Sequence, residues 1–539
     1  MSAIFPGAAG TAQLWICGGG IAGMAVAAFA IRDAGIAPSH IHILEELNVA
    51  GGSLDGAQAP ASVHGAAAWV TRGGRMLTDE TYLCLWDLFE SIPSLQDAHL
   101  SVREECRQFN ARVRTHANAR LIDRNHVIAD AAHLGLSMSN RAQMLRLLAL
   151  PERLIGSRRI EEFFDDGFFQ SNFWRMWRTT FAFQRWHSAI ELRRYFLRFV
   201  QEFPRIHTLA GVRRTVYNQY DSMVVPLQRW LLEQDVDVRF GTRVSDADFV
   251  IDADGGRRCC ALQLDTSEGA TQLALGEQDL AFFTLGSITA DATYGGNDEV
   301  PELIREHRDH GWTLWQNLAR KASDFGHPAA FCGNIDAHKW ESFTLTMRER
   351  TLLDRIVAYT GNTPGTGALM TCYESGWHLS IVVPHQPHFA GMPEGQYTLW
   401  GYGFQIDTLG DYVNKPMSQA TGREILVELI HQLGFEDILE PVLASTDVTT
   451  VMMPYASALF ATRAPGDRPQ LIPEGARNFA FLGQFVELED DVVFTVEYSV
   501  RCAMLAVYRL FGVEREVPAI YNGLLDPKVG LAAVEAALH

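Results

Sequence analysis

Gly18, Gly20 and Gly23 are spaced as Gly-x-Gly-x-x-Gly, between an apolar run, Leu14-Trp15-Ile16-Cys17, and a small-residue stretch, Met24 to Phe29. A second apolar run, Ile41-His42-Ile43-Leu44, ends on Glu45 and Glu46, with Glu45 22 residues past Gly23. Strand, tight turn, helix, strand and acid in this order are the parts of a dinucleotide site. Gly18 permits the turn, Gly20 leaves the backbone bare for a pyrophosphate, and Gly23 lets the helix lie close on the strand. Ile21 and Ala22 open the helix, whose N-terminus offers free N–H groups and a positive dipole end to phosphates. Glu45, with Glu46 beside it, can accept hydrogen bonds from ribose hydroxyls. The plain alternative is a glycine-rich turn that holds no ligand.

Two more glycine turns follow, Gly51-Gly52-Ser53-Leu54-Asp55-Gly56 and Arg72-Gly73-Gly74-Arg75-Met76. Glycine marks turns or close backbone approach. A long two-part ligand such as FAD gives all three loops one reason. The first takes the pyrophosphate, while Gly52, Ser53, Arg72, Gly73 and Gly74 lie along the ribityl chain and flavin ring. Arg72 and Arg75 also suit an ordinary arginine surface position.

These residues need a sheet to position them. Leu280 to Ser287 and Phe479 to Phe485 are apolar strands ending near a glycine, and Val236 to Phe240 is a further strand. Phe249-Val250-Ile251 is another short one. Amphipathic helices are expected at Leu83 to Ile92, Pro226 to Leu232 and Thr495 to Phe511. Ser287, Phe485 and Ser499 would then reach the flavin end. The expected fold is α/β: an FAD-binding Rossmann-like domain of the GR2 type, discontinuous in sequence, with a second α+β substrate domain and helical insertions. The cofactor domain takes 1–115, 205–290 and 476–513. Residues 116–204 form a helical, aromatic segment, 291–475 the substrate domain and 514–539 a tail. Between Glu161 and Phe203 aromatic residues crowd together, mostly as helical core, at a density that also suits a channel wall.

Length and charge narrow the class. With 539 residues the chain can bury a large core. Its formal net charge of -19 opposes nucleic acid as the main partner, because phosphate binding needs a basic face. Met1 to Gln13 lack the pattern of a signal peptide, and no apolar run suggests a membrane span. The eight cysteines form no CxxC pair and no metal spacing. A reduced, cytoplasmic protein without a metal is expected.

Further motifs carry a resemblance. Leu85-Trp86-Asp87-Leu88, Leu209-Ala210-Gly211-Val212, Tyr217-Asn218-Gln219-Tyr220, Gln386-Pro387-His388-Phe389, Trp400-Gly401-Tyr402-Gly403 and Lys415-Pro416-Met417 join the glycine loops in order. Over almost the whole chain the sequence resembles the fatty-acid (oleate) hydratases, the flavoprotein family once called myosin-cross-reactive antigen. The resemblance implies FAD binding and addition of water to the cis-9 double bond of oleate, giving 10-hydroxystearate without net redox change. A long-chain unsaturated free fatty acid is the implied partner. Contact with the inner face of a membrane, and a monomer or homodimer, stay open.

Hydrating an isolated alkene needs an acid for one carbon and a positioned water for the other. The resemblance assigns the proton donor to Tyr195, within Arg193-Arg194-Tyr195. Two cations beside a phenol would lower its pKa if they point towards it. Tyr195 also fits plain helical core. Gln219 matches a site glutamine of the family that can hold water or substrate. Met76 departs from the pattern. Much of the family has Glu there to activate water, and a thioether takes no proton at neutral pH. Asp79 and Glu80 are nearby carboxylates, or plain solvated acids. The run Gly73 to Glu80 is similar to that of one branch of the family. At the fatty-acid carboxylate His388 is kept, with His385 near it, while the family's Thr and Asn fall on Val382 and Pro384. Two other functions compete: a flavin-dependent lipid oxidoreductase and a fatty-acid-binding flavoprotein without activity.

Overall fold

The computed structural model describes residues 12–54, 56–58, 68–73, 76–306 and 308–538. Five strands form a sheet in which every neighbour is parallel, in the order Phe479–Leu482, Leu280–Thr284, Leu14–Cys17, Ile41–Leu44, Asp237–Arg239. The two central strands flanking Leu14–Cys17 and that strand itself are almost wholly buried, as parallel strands covered on both faces must be. The helix Ile21–Arg32 leaves the first strand, buried from Ile21 to Ala30. Its alanines let the helix Val496–Phe511 pack closely against it. That second helix is capped by the Thr495 side chain at one end and closed by Gly512 at the other. The sheet therefore draws its strands from distant parts of the chain, as a Rossmann-like α/β fold with a discontinuous sequence requires.

A seven-stranded, mostly antiparallel sheet stands beside it, ordered Thr293–Gly295, Thr446–Met453, Trp340–Met347, Tyr397–Gly403, Leu379–Val382, Met370–Cys372, Leu121–Ile122. A short hairpin of Gly56–Gln58 and Trp69–Thr71 is fastened to it, with Trp69 N–H donating to Thr346 Oγ1 (3.0 Å) and Thr71 N–H to Thr344 Oγ1 (3.1 Å). This brings Arg72 and Gly73 back to the first glycine turn. Phe249 to Ile251 ends a longer strand, Arg243–Ile251, of a separate three-stranded antiparallel sheet. Its apolar run is too short to separate a parallel from an antiparallel partner.

Between the sheets lie the helices Asn172–Phe181 and Ala189–Arg198 and the short helix Val200–Arg205. Phe173, Trp177, Phe196 and Phe203 pack ring against ring at centroid distances of 5.1 to 6.0 Å. Most of the aromatic run is thus core. Charged side chains beneath it are buried in pairs. Glu191 meets Arg468 (3.0 Å) and Arg463 (3.4 Å), and Asp491 meets Arg501 (3.0 Å) and Arg198 (3.4 Å). These pairs tie the Ala189–Arg198 helix to the segment just before Val496.

Three buried histidines give a pH dependence. Burial pushes His187 and His378 well below the ordinary imidazole range and His338 to about 4. Folded, they stay neutral; unfolded, they take protons below about pH 6.5. Their stability contribution is complete above that pH and is lost as pH falls towards the folded values. Each costs up to about 2 kcal/mol at pH 5. The melting temperature is expected to fall between pH 7 and pH 5, and the fall should be shallower in His338→Gln. Melts of both proteins at the two pH values check this.

Candidate functional site

The first glycine turn opens into a long cleft at the C-terminal ends of the parallel strands. Gly18, Gly20, Ile21, Ala22, Glu45, Glu46, Gly52, Ser53, Arg72, Ser287, Phe485 and Ser499 all line it. Gly18 has φ +109°, which a side chain resists. A Cβ on Gly23 would stand 2.1 Å from the Gly18 carbonyl oxygen, so only glycine lets the helix begin here. Gly23 itself is wall support rather than lining. Gly23→Ala is expected to weaken dinucleotide binding at least about tenfold (~1.4 kcal/mol); titration with FAD measures it.

The acids are partly committed. Glu45 accepts from Gly19 N–H (2.7 Å) and Leu47 N–H (2.9 Å), and Glu46 from His310 N–H (3.0 Å). Each carboxylate keeps lone pairs for a ribose. Arg72 is buried, not a surface arginine. It donates to Thr289 O (3.2 Å) and Gly52 O (3.1 Å), which binds the second glycine turn to the strand end at Ser287. Gly73 lines a neighbouring cavity. Gly74, Arg75 and Asp55 lie outside the described residues.

Two smaller cavities adjoin the cleft. One is lined by Met76, Thr78, Tyr82, Thr180, Phe181, Tyr195, Phe199 and Glu202, among others. The other includes Arg72, Gly73, Met76, Thr180, Trp340, Trp400 and Tyr402. Phe494 lines the cleft and both cavities, and Thr495 and Val496 line the cleft and the first. Phe494 has φ +70°, a conformation a bulky residue adopts at a cost of about 1–3 kcal/mol. It is held there by its N–H bond to Gln484 Oε1 (2.5 Å), while Gln484 Nε2 bonds Ser499 Oγ (2.8 Å).

Tyr195 is 1% exposed and donates its hydroxyl to Val493 O (2.6 Å). The expected help from its arginine neighbours is absent. Successive helical residues point about 100° apart. Arg194 turns to Glu152 (2.8 Å) and Glu487 (3.0 Å), and Arg193 approaches Glu152 at 3.8 Å. Burial first, then Tyr82, Glu191 and Asp491, push the phenol well above its ordinary range. Tyr195 is a weaker acid than the sequence suggested, but its proton is present at every working pH.

The other sequence candidates fall in two groups. Met76 lines both cavities, so the position is at the site. Asp79 and Glu80 line neither; Asp79 pairs with Arg213 (2.8 Å) and Glu80 with Arg205 (3.5 Å) at the surface. Gln219 caps a single π-helical turn, Tyr220–Val224, and its amide is buried with no partner among the described residues. His388, Val382 and Pro384 line none of the three cavities. They sit near Gln219, since the His388 carbonyl accepts from Asn218 N–H (2.8 Å). Burial, with Arg214 and His385 nearby, pushes His388 to about 3, so it is a neutral donor or acceptor. Sequence reading missed Glu202, Phe494 and His310. Only tertiary packing brings them to the site, and no local motif marks them.

The parallel sheet, its glycine turn and the cleft define a Rossmann-like dinucleotide-binding fold carrying a second, antiparallel sheet. A cyclohexylamine oxidase from Brevibacterium oxydans shares this fold, with a TM-score of 0.50 at 11% identity over 94% of this chain and 100% of that one. The chain matches the MCRA family over residues 11–508 and belongs to that family. It is 37% identical over 524 residues to an oleate hydratase of Streptococcus pyogenes, covering 95% of this chain and 87% of that protein. It is also 37% identical over 474 residues to a linoleate hydratase of Lactiplantibacillus plantarum, covering 83% and 82%.

Proposed function

We propose that this protein is a fatty-acid hydratase, a hydro-lyase that binds FAD and adds water to the cis-9 double bond of oleate without net redox change. One observation carries the reading: the Tyr195 cavity and the dinucleotide cleft share the wall Phe494 to Val496. The residues fit FAD. Gly18, Gly20, Ile21, Ala22 and Gly23 form the pyrophosphate turn, and Glu45 and Glu46 stand where a ribose would lie. Gly52, Ser53, Arg72 and Gly73 follow towards the ring end, where Ser287, Phe485 and Ser499 stand. Bound there, FAD would supply a flat polar wall to the cavity.

Alkene hydration asks three things of the chain's own side chains. Phe181, Phe199, Leu209 and Val212 exclude water from the alkene segment. Tyr195 supplies the proton by swinging its O–H from Val493 O towards the double bond. Gln219, with its unpartnered amide, holds water or the chain of the substrate. At the carboxylate end His388 donates a hydrogen bond as a neutral ring. Positive charge there comes from Arg214, a buried guanidinium bonded to Gly367 O (2.8 Å). The described residues contain no helix long and apolar enough to cross a membrane. Substrate of this kind resides in lipid, and exposed Leu525, Leu531 and Val534 near the C-terminus suit peripheral contact with a lipid surface.

Mass analysis after incubation with oleate and linoleate tests the proposal. A hydroxy acid heavier by one water is expected. A product formed only in air would make the protein an oxidoreductase, and unchanged, retained fatty acid would make it a binder.

A further inference from the structure

With Met76 in place of a glutamate, the cavity needs another group that can take a proton from water. Its lining contains one carboxylate, Glu202, in the short helix that follows the Tyr195 helix. Glu202 is 2% exposed and accepts from Arg205 at both oxygens, Nε at 3.0 Å and a terminal nitrogen at 2.7 Å. A carboxylate offers about four acceptor sites, so this pairing leaves room for a water. The cavity holds about 60 Å³ of free space, several times the roughly 10–15 Å³ one water needs.

We propose that Glu202 positions and deprotonates the attacking water, in the role that Met76 cannot fill; this rests on the hydratase reading above. As the Tyr195 O–H bond breaks, its proton forms a C–H bond at one alkene carbon. The water oxygen gives an electron pair to the other carbon, and one water proton passes to Glu202. The Glu202 carboxyl then returns that proton to the Tyr195 phenolate through water in the shared cavity. Both groups are reset, and no electrons are gained or lost. Arg205 tethers the carboxylate during the cycle.

Arg205 faces Glu202 from its own helix, Glu80 and Arg213 from the segments packed on it, and Tyr195 and Tyr82 from across the cavity. Burial, with Glu80, raises the Glu202 pKa, while Arg205 and Arg213 oppose it; the balance lies above the ordinary carboxylate range. Turnover that needs ionised Glu202 is lost as pH falls through this raised value.

The experiment uses the full chain loaded with FAD, with oleate as substrate. In Glu202→Gln, kcat is expected to fall about 100-fold or more, with KM within about threefold and the acid limb of the pH profile gone. Glu202→Asp keeps the charge and should lose at least about tenfold in kcat. Adding Met76→Glu to either variant should restore at least about tenfold. Asp79→Asn should match wild type. Should Glu202→Gln fail to fold, Glu202→Asp with and without Met76→Glu decides. Wild-type kcat and an unchanged acid limb in either Glu202 variant overturn the assignment while leaving the hydratase reading intact. A wild-type chain that hydrates no fatty acid overturns both.

Discussion

Tyr195→Phe is expected to lose about 10²–10⁴-fold in kcat for oleate hydration, the range for a missing general acid. The substitution keeps the ring among Phe181, Phe183, Phe199 and Phe460 and removes only the hydroxyl. Its structural cost is the unpaired Val493 carbonyl, about 1–3 kcal/mol, too little to unfold a core of this size. KM should stay within about threefold, because the hydroxyl acts on the alkene in the transition state. Initial rates across an oleate series, with a melt of each protein, separate these terms. Near-wild-type turnover would remove Tyr195 as the donor.

Asp491→Ala should have the largest effect on stability. Asp491 is fully buried between Arg198 and Arg501, and its own carboxylate accepts from Val492 N–H (2.9 Å). Removing it leaves two buried guanidinium groups without that anion, at a cost of about 3–5 kcal/mol. The same change frees the segment that presents Val493 O to Tyr195 and Phe494 to the cavities. Activity should therefore fall at temperatures where the protein is still folded. Denaturant unfolding and rates at low temperature measure the two losses. A variant of wild-type stability would show that the pairs contribute no net anchoring.

The dinucleotide turn was legible in the sequence because its demands are local. Gly18 must take a positive φ, Gly23 must lack a side chain, and both needs appear as residue types at fixed spacing. The parallel strands were legible for the same reason: burial on both faces makes them continuously apolar. The charge environment of Tyr195 was not. Arg193 and Arg194 adjoin it in sequence, but the helix turns them to Glu152 and Glu487, and the groups that face the phenol come from elsewhere in the chain. Asp79 and Glu80 misled likewise, being near Met76 in sequence but turned outwards to Arg213 and Arg205. Glu202 was hidden by its i+3 arginine, which reads as an ordinary helix-surface pair until burial is known. Phe494 carries no signal at all, since its unusual backbone is imposed by Gln484 and the buried ion pairs around it.

The most direct test of a flavin-bound, non-redox hydratase is anaerobic turnover of oleate in heavy water with FAD at far below substrate concentration and no electron acceptor. The account predicts many 10-hydroxystearate molecules per flavin, each with one deuterium fixed on carbon, and a flavin spectrum that is the same at the end as at the start. Product that stops at one equivalent per flavin, or that forms only when oxygen is admitted, would contradict it.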